Sequence, residues 1–204
     1  MGNNTKAAAH FQKMYVLLQW LLWGVILVFI LLVASDVWIS LKPQEQFTAE
    51  KGIAHWSFSV ALSETTSRSI LIPFQLFQPI SPDKFSAKSA FLVTELSSTF
   101  LTFITYIYSI LQIRNIIGSM VKGNRPFDKA NIVRLKRLGI AVILYSLLAK
   151  LIINVLCWVF VNHIFAINLS GISLKGVIIG LLVLIVSDVF KHGVYLQEEH
   201  DMTI

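Results

Sequence analysis

Residues 14–35 read MYVLLQWLLWGVILVFILLVAS, an apolar run that contains no charged side chain. A helix needs about 20 mainly apolar residues to cross the hydrocarbon core of a bilayer. Trp20 and Trp23 lie near one end of the run, and Trp38 lies beyond the other. Tryptophans in such positions are typical of membrane interfaces. The run therefore predicts a transmembrane helix.

The composition of the whole chain agrees with a membrane protein. Of its 204 residues, 55% are hydrophobic and 14% are charged, whereas soluble domains average about 45–50% and about 25%. The mean hydropathy is +0.70. These values exclude intrinsic disorder, collagen-like chains and most soluble enzymes. Because Cys157 is the single cysteine, an intrachain disulfide is also excluded.

Three further apolar stretches follow the first, so the sequence predicts four transmembrane helices. Their predicted bounds are about 14–38, 95–120, 138–165 and 171–197, within a single membrane domain, 1–204. Residues 39–94 form the one long loop. The predicted fold class is an all-α membrane protein with four transmembrane helices and a small extracytoplasmic β-hairpin between helices 1 and 2.

The hairpin is predicted from an alternating pattern within this loop. Trp56, Phe58 and Val60 alternate with small residues, which is the period of two of a half-buried strand. Residues 70–74 offer a return strand, and Pro73 restricts that strand to a sheet edge. Because a lone hairpin is marginal in water, we expect it to pack on the helix ends or to gain strands from a partner. Whether it only caps the helices or binds a ligand or partner stays open.

The net charge of +6 is concentrated in the connection at 114–137, which has seven basic residues and one acid, Asp128. The positive-inside rule places this connection in the cytoplasm, and with four spans both termini lie on the same side. The charge thus predicts a multi-pass orientation and contact with the lipid bilayer. The stretch is short and lacks interleaved aromatic residues, which argues against nucleic-acid binding.

A polar stripe runs along helix 2 at spacings of three and four residues, which keeps its members on one helical face. The stripe consists of Glu95, Ser98, Thr102, Thr105, Ser109 and Gln112. Small hydroxyl residues let membrane helices approach closely and form hydrogen bonds across the contact. The stripe is therefore either a packing seam or a polar pathway or ligand cleft.

Helix 3 carries Ser146, Lys150 and Asn154 at intervals of four. Lys150 lies 12 residues past Leu138, about 18 Å along the helix and near the bilayer centre. A lysine there costs roughly 2.5–3.5 kcal/mol, so we expect it to face protein or water and to contact the helix 2 stripe. An ion pair with Asp188, at the cytoplasmic end of helix 4, is a second arrangement. These residues and the stripe form the candidate polar seam.

Gly176 and Gly180 form a Gly-x-x-x-Gly pattern in helix 4 that permits close helix contact, either within the chain or in a homodimer. The sequence contains no His-Glu-x-x-His site, phosphate loop or Gly-x-Ser-x-Gly elbow. The prediction is accordingly a protein that is not an enzyme, with no catalytic residues, cofactor or metal site.

Two stretches of the chain resemble a known family. They are residues 123–139, GNRPFDKANIVRLKRLG, and residues 188–204, DVFKHGVYLQEEHDMTI. They are similar to a bacterial family of small four-helix integral membrane proteins of unknown function. In that family a Gly-x-Pro-Phe segment precedes helix 3, and the C-terminus reads roughly Val-Phe, Gly, Leu-x-Glu-Glu and Thr. Asp188 stands where the family usually has Glu. Members are often encoded beside a small helix-turn-helix regulator, so the resemblance implies regulation and supplies no catalytic residue.

Together these observations predict a non-enzymatic protein of the bacterial cytoplasmic (inner) membrane with a regulatory, sensing or partner-interaction role. The alternative is a small transporter or channel subunit that uses the polar seam around Lys150. A homo-oligomer and a membrane-protein partner both stay open, and no small-molecule ligand is identified.

Overall fold

A computed structural model describes residues 2–78, 80–122, 128–164 and 171–202. The predicted end of helix 3 at 165, and the parts of the two family-like stretches at 123–127 and 203–204, lie outside the described residues. The helices are α1 (Gly2–Ser40), α2 (Ala87–Val121), α3 (Lys129–Cys157) and α4 (Leu174–Met202). A π-helical turn, Trp158–Asn162, extends α3, and the left-handed residue His163 (φ 53°) ends it.

Within the described residues, four helices are long and apolar enough to cross a membrane. The most apolar segment of α1 has only 6% of its residues buried. Leu17 and Trp20 there are 68% and 73% exposed. An apolar surface this continuous is unfavourable in water and favourable in lipid. The four helices therefore indicate a multi-pass membrane protein.

The chain divides into two compact units. The helical unit consists of Met1–Leu27, Phe103–Ser146 and Leu174–Ile204, and the sheet-bearing unit consists of Val28–Thr102 and Leu147–Ser173. Each of α1, α2 and α3 therefore contributes one part to each unit.

The sheet-bearing unit contains three antiparallel strands, β1 (Phe47–Lys51), β2 (His55–Ala61) and β3 (Ser67–Pro73), in the order β1-β2-β3. The predicted hairpin corresponds to β2 and β3, and the sheet has a third strand that the sequence analysis did not identify. The chain itself supplies β1, which pairs with β2 along the side opposite β3. Pro73 lies at the end of an edge strand, where its missing N–H leaves no gap in the sheet.

One face of β2 forms the core of this unit. Trp56, Phe58 and Val60 are fully buried. The rings of Phe77 and Phe85 pack edge to face at 4.9 Å, and the ring of Phe85 lies 5.3 Å from that of Trp56. This is the preferred geometry of aromatic pairs. The buried core also contains Ile39, Ile72, Phe91, Ile153 and Cys157.

In the helical unit, α3 and α4 cross backbone to backbone. A Cβ built on Gly180 would lie 2.9 Å from the carbonyl oxygen of Gly139 and 2.5 Å from Cγ1 of Ile143. Gly180 is therefore used in packing within the chain. A homodimer through the same helix, to which Gly176 would also contribute, stays a prediction.

Replacing Gly180 by valine should weaken the helical unit, because any added side chain overlaps α3. Overpacking of this kind typically costs about 1–3 kcal/mol. The matched control is Gly24→Val, since a Cβ on Gly24 meets nothing within 4 Å. Thermal loss of helical circular dichroism in detergent should occur at a lower midpoint for Gly180→Val than for Gly24→Val. Equal midpoints would contradict the close crossing.

Candidate functional site

The predicted helix 2 stripe falls into two parts. Glu95, Ser98 and Thr102 belong to the sheet-bearing unit, and Thr105, Ser109 and Gln112 belong to the helical unit. Five of the six are partly buried, whereas Ser98 is exposed. The adjacent residue, Thr99, is 9% exposed and takes the buried position instead. Ser98 therefore differs in burial from the other five residues of the stripe, because α2 turns Thr99 inward.

The two uncharged residues of α3 that belong to the predicted seam, Ser146 and Asn154, are buried and bound to backbone carbonyls. The Ser146 hydroxyl donates to the carbonyl oxygen of Val142 at 2.7 Å, within its own helix. The side-chain amide of Asn154 donates to the carbonyl oxygen of Leu76 at 2.9 Å. Asn154 thereby holds α3 to the segment that follows β3, inside the sheet-bearing unit.

Lys150 is exposed, although the sequence led us to expect contact with the helix 2 stripe. Its aliphatic stem lies on Gly171, where a built Cβ would be 2.8 Å from the lysine Cδ. Among the described residues, Lys150 makes no hydrogen bond or ion pair. Asp188 instead lies 4.0 Å from Lys136, and both side chains are exposed. Because Lys150 and Asp188 belong to different units, their pairing stays a prediction.

A partly buried group of charged side chains in the sheet-bearing unit surrounds Arg68. Arg68 projects from β3 and lies between Asp36 of α1 and Glu95 of α2. Its Nη1 is 3.1 Å from Asp36 Oδ1 and donates to the hydroxyl of Ser35 at 3.2 Å, and its Nη2 contacts Glu95 Oε1. The Asp36 side chain is fully buried, and those of Arg68 and Glu95 are 24% and 18% exposed. We call these three charged residues the arginine cluster.

The arginine cluster contains two acids and one base, so a single guanidinium compensates two carboxylates. Asp36 Oδ2 is buried and has no hydrogen-bond partner among the described residues. In a poorly solvated position, charge pairing is strong, and an uncompensated charge is costly. The cluster therefore joins three elements through electrostatics, and this joining depends on Arg68.

Two lysines provide a second attachment of the sheet to the helix ends. The Lys42 ammonium donates to the carbonyl oxygen of Ala61, at the end of β2, at 2.7 Å. The Lys88 ammonium, on α2, donates to the carbonyl oxygen of Lys42 at 2.7 Å. Charge-assisted hydrogen bonds thus attach the α1–β1 connection to the end of β2 and to α2.

Sequence reasoning identified Glu95 but missed Asp36 and Arg68. Two signals existed: Asp36 is the first charged residue after the apolar run of helix 1, and Arg68 is the only arginine in the 39–94 loop. An acid at a helix end and a lone arginine in a strand are candidates for an ion pair. Their spacing in the sequence, however, does not show that a strand brings them together.

Among the residues that the structure describes, no group of three or more His, Cys, Asp or Glu side chains could hold a metal ion.

Cys157 is fully buried in the core of the sheet-bearing unit. Its sulfur lies 3.5 Å from the hydroxyl oxygen of Thr94. The reactivity of the Cys157 thiol therefore indicates whether that core is folded.

A model of a family described as a protein of unknown function (DUF2975) matches residues 81–204, more than half of the chain. The chain therefore belongs to this family. The match contains α2, α3 and α4, whereas the three strands precede it. No curated protein and no solved structure matches the chain.

The variant Arg68→Gln should destabilise the sheet-bearing unit by about 3–5 kcal/mol, because it leaves a buried carboxylate without its base. The double variant Asp36→Asn/Arg68→Gln should recover much of that loss. The rate at which Cys157 reacts with a maleimide in detergent measures both effects.

Lys51→Gln is the matched control for Arg68→Gln, since it removes an exposed base at the end of β1. Its effect should stay within about 0.5 kcal/mol. A double variant no more stable than Arg68→Gln would show that the buried carboxylate is not the cause.

Proposed function

We propose that this member of the DUF2975 family is a non-enzymatic protein of the bacterial cytoplasmic membrane with a regulatory, sensing or partner-interaction role. In this proposal both termini and the 114–137 connection lie in the cytoplasm, and the sheet lies on the opposite side. The seven basic residues of that connection support this orientation.

The observation that carries the proposal is the asymmetry of the sheet. Its inner face is fixed on an aromatic core, and Arg68 joins β3 to α1 and α2. Its outer side is open, with Leu71 of β3 63% exposed and Ile53, in the β1–β2 turn, 99% exposed. An exposed loop or strand on a rigid scaffold is the usual arrangement for recognition. A molecule that binds this outer side would act directly on β3, whose Arg68 contacts Asp36 and Glu95.

The orientation can be tested with single cysteines. Ile53→Cys should react with a membrane-impermeant maleimide on intact cells, because this position is exposed and proposed to lie outside. Lys122→Cys, an exposed position at the end of α2, should react only after the membrane is permeabilised. The unchanged chain gives the background, since Cys157 is buried. The reverse labelling pattern would overturn the proposed orientation.

The interaction role predicts a discrete protein adduct when a photo-crosslinking amino acid replaces Leu71. The control position is Leu17, which is 68% exposed on the apolar face of α1 and should react with lipid. Adducts are measured on denaturing gels after irradiation of living cells and identified by mass spectrometry.

The alternative, a transporter or channel subunit, is supported by the exposure of Lys150 within a helix long enough to span a membrane. It predicts solute or ion flux in liposomes that Lys150→Met abolishes and Lys175→Met, an exposed lysine of α4, preserves. Such flux, together with the absence of a protein adduct at position 71, would contradict the interaction role and support transport.

A further inference from the structure

The helical unit contains a cavity of about 460 Å³. It lies between the part of α1 around Gln12 and Tyr15, the last turns of α2 and the first turns of α3. The lining residues that matter for its chemistry are Tyr15, Arg114, Asn115, Lys122 and Arg134. We call this cavity the basic pocket.

The basic pocket is positively charged. Arg114, Lys122 and Arg134 contribute three cations, and none of the described residues that line it is acidic. Asp128, the single acid in the 114–137 stretch, accepts a hydrogen bond from the backbone N–H of Ala130 at 3.4 Å, at the start of α3. The lining therefore supplies positive charge without a compensating carboxylate.

Both guanidinium groups are held in place by neutral partners. Arg114 Nη2 donates to the Tyr15 hydroxyl at 2.8 Å, and the guanidinium carbon lies 5.2 Å from the centre of the Tyr15 ring. Arg134 Nη1 donates to the carbonyl oxygen of Asn115 at 3.1 Å and to Asn131 Oδ1 at 2.8 Å. These contacts orient the two arginines and leave their charge uncompensated.

One donor of Arg114 lacks an acceptor. Its Nε is buried and makes no hydrogen bond within the described residues. Buried donors are almost always paired in folded proteins, so this N–H indicates where an acceptor belongs. Gly118 supports the arrangement, because a Cβ there would lie 3.0 Å from the Tyr15 ring. The ring that holds Arg114 thus packs where only a glycine fits without rearrangement.

We infer that the basic pocket binds a phosphate-bearing anion. Guanidinium groups match the oxygens of phosphate with two parallel hydrogen bonds, and a nearby ammonium adds a less directional charge. Two oriented arginines, a lysine and a tyrosine hydroxyl around one cavity supply this chemistry. The anion is either the head group of an anionic phospholipid or a soluble phosphate.

The surroundings of the basic pocket favour the lipid source. Tyr15 lies at the start of the apolar run of α1, where lipid head groups would meet the helix. A second groove on the same helix shares Gln12 with the pocket and continues along Val16, Leu17 and Trp20. Lys13 also lines the groove, and beyond it the apolar side chains offer a path for an acyl chain. Basic pockets between membrane helices are known to hold such head groups.

Binding can be measured on the full chain in detergent by native mass spectrometry, with phosphatidylglycerol, phosphatidylcholine and inorganic phosphate as separate probes. Arg114→Gln should raise the Kd for phosphatidylglycerol about tenfold, because it removes a charge-assisted contact. Lys122→Gln should weaken binding in the same direction. The matched control is Arg137→Gln, which removes an exposed base of α3 outside the pocket and should leave the Kd unchanged.

The outcomes separate the two sources from a general charge effect. Phosphatidylglycerol binding that depends on Arg114, with phosphatidylcholine inactive, supports the pocket and identifies a lipid. Arg114-dependent binding of inorganic phosphate alone supports the pocket and identifies a soluble anion. Equal weakening by Arg137→Gln, or no binding of either anion, would overturn the inference. Should Arg114→Gln fail to fold, Lys122→Gln tests it at an exposed position.

Discussion

The sheet-bearing unit depends on the guanidinium of Arg68. Hydrophobic burial around Trp56 supplies much of the driving force for packing, but that force is non-directional. The arginine is directional, because its planar fork reaches Asp36 with one nitrogen and Glu95 with the other. It thereby sets the position at which β3 meets α1 and α2. A shift of β3 by one residue would move the guanidinium to the opposite face of the sheet and leave a buried carboxylate alone.

The sheet also shows which parts of this fold a sequence reveals. The strand β2 was recognisable because large apolar residues alternate with small ones over its length, and the burial pattern follows that alternation. The strand β1 has one large apolar residue, Phe47, and the residues that follow it are as small or polar as those of a typical loop. It becomes a strand through its pairing with β2, which is a tertiary effect. Strand propensity depends on such neighbours, so a short edge strand leaves little local signal.

The four long helices were predictable for the opposite reason, since length and hydropathy are local properties. The partners of their polar residues were not. The hydroxyls of Ser97 and Ser146 donate to carbonyl oxygens four residues earlier in their own helices. A hydroxyl satisfied in this way needs no neighbouring helix. Regular spacing on helix 2 therefore predicted a face but not its contacts, and Glu95 found its partner in a strand.

For the basic residues at the end of α2 and the start of α3, the number of charges is visible in the sequence, whereas their contacts are visible only in the structure. The positive-inside rule depends on the number of basic residues near a span and requires no particular geometry. Lys129 and Lys136 fit that requirement, since they are exposed and lie near Glu198 and Asp188. Arg114 and Arg134 differ, because a hydroxyl, a carbonyl and an amide hold them without neutralising them. Orientation in the membrane does not require these neutral partners, whereas the proposed recognition of an anion uses the positive charge that they leave uncompensated. The two proposals thus give the same stretch two physical roles, and the sequence alone suggests only the first.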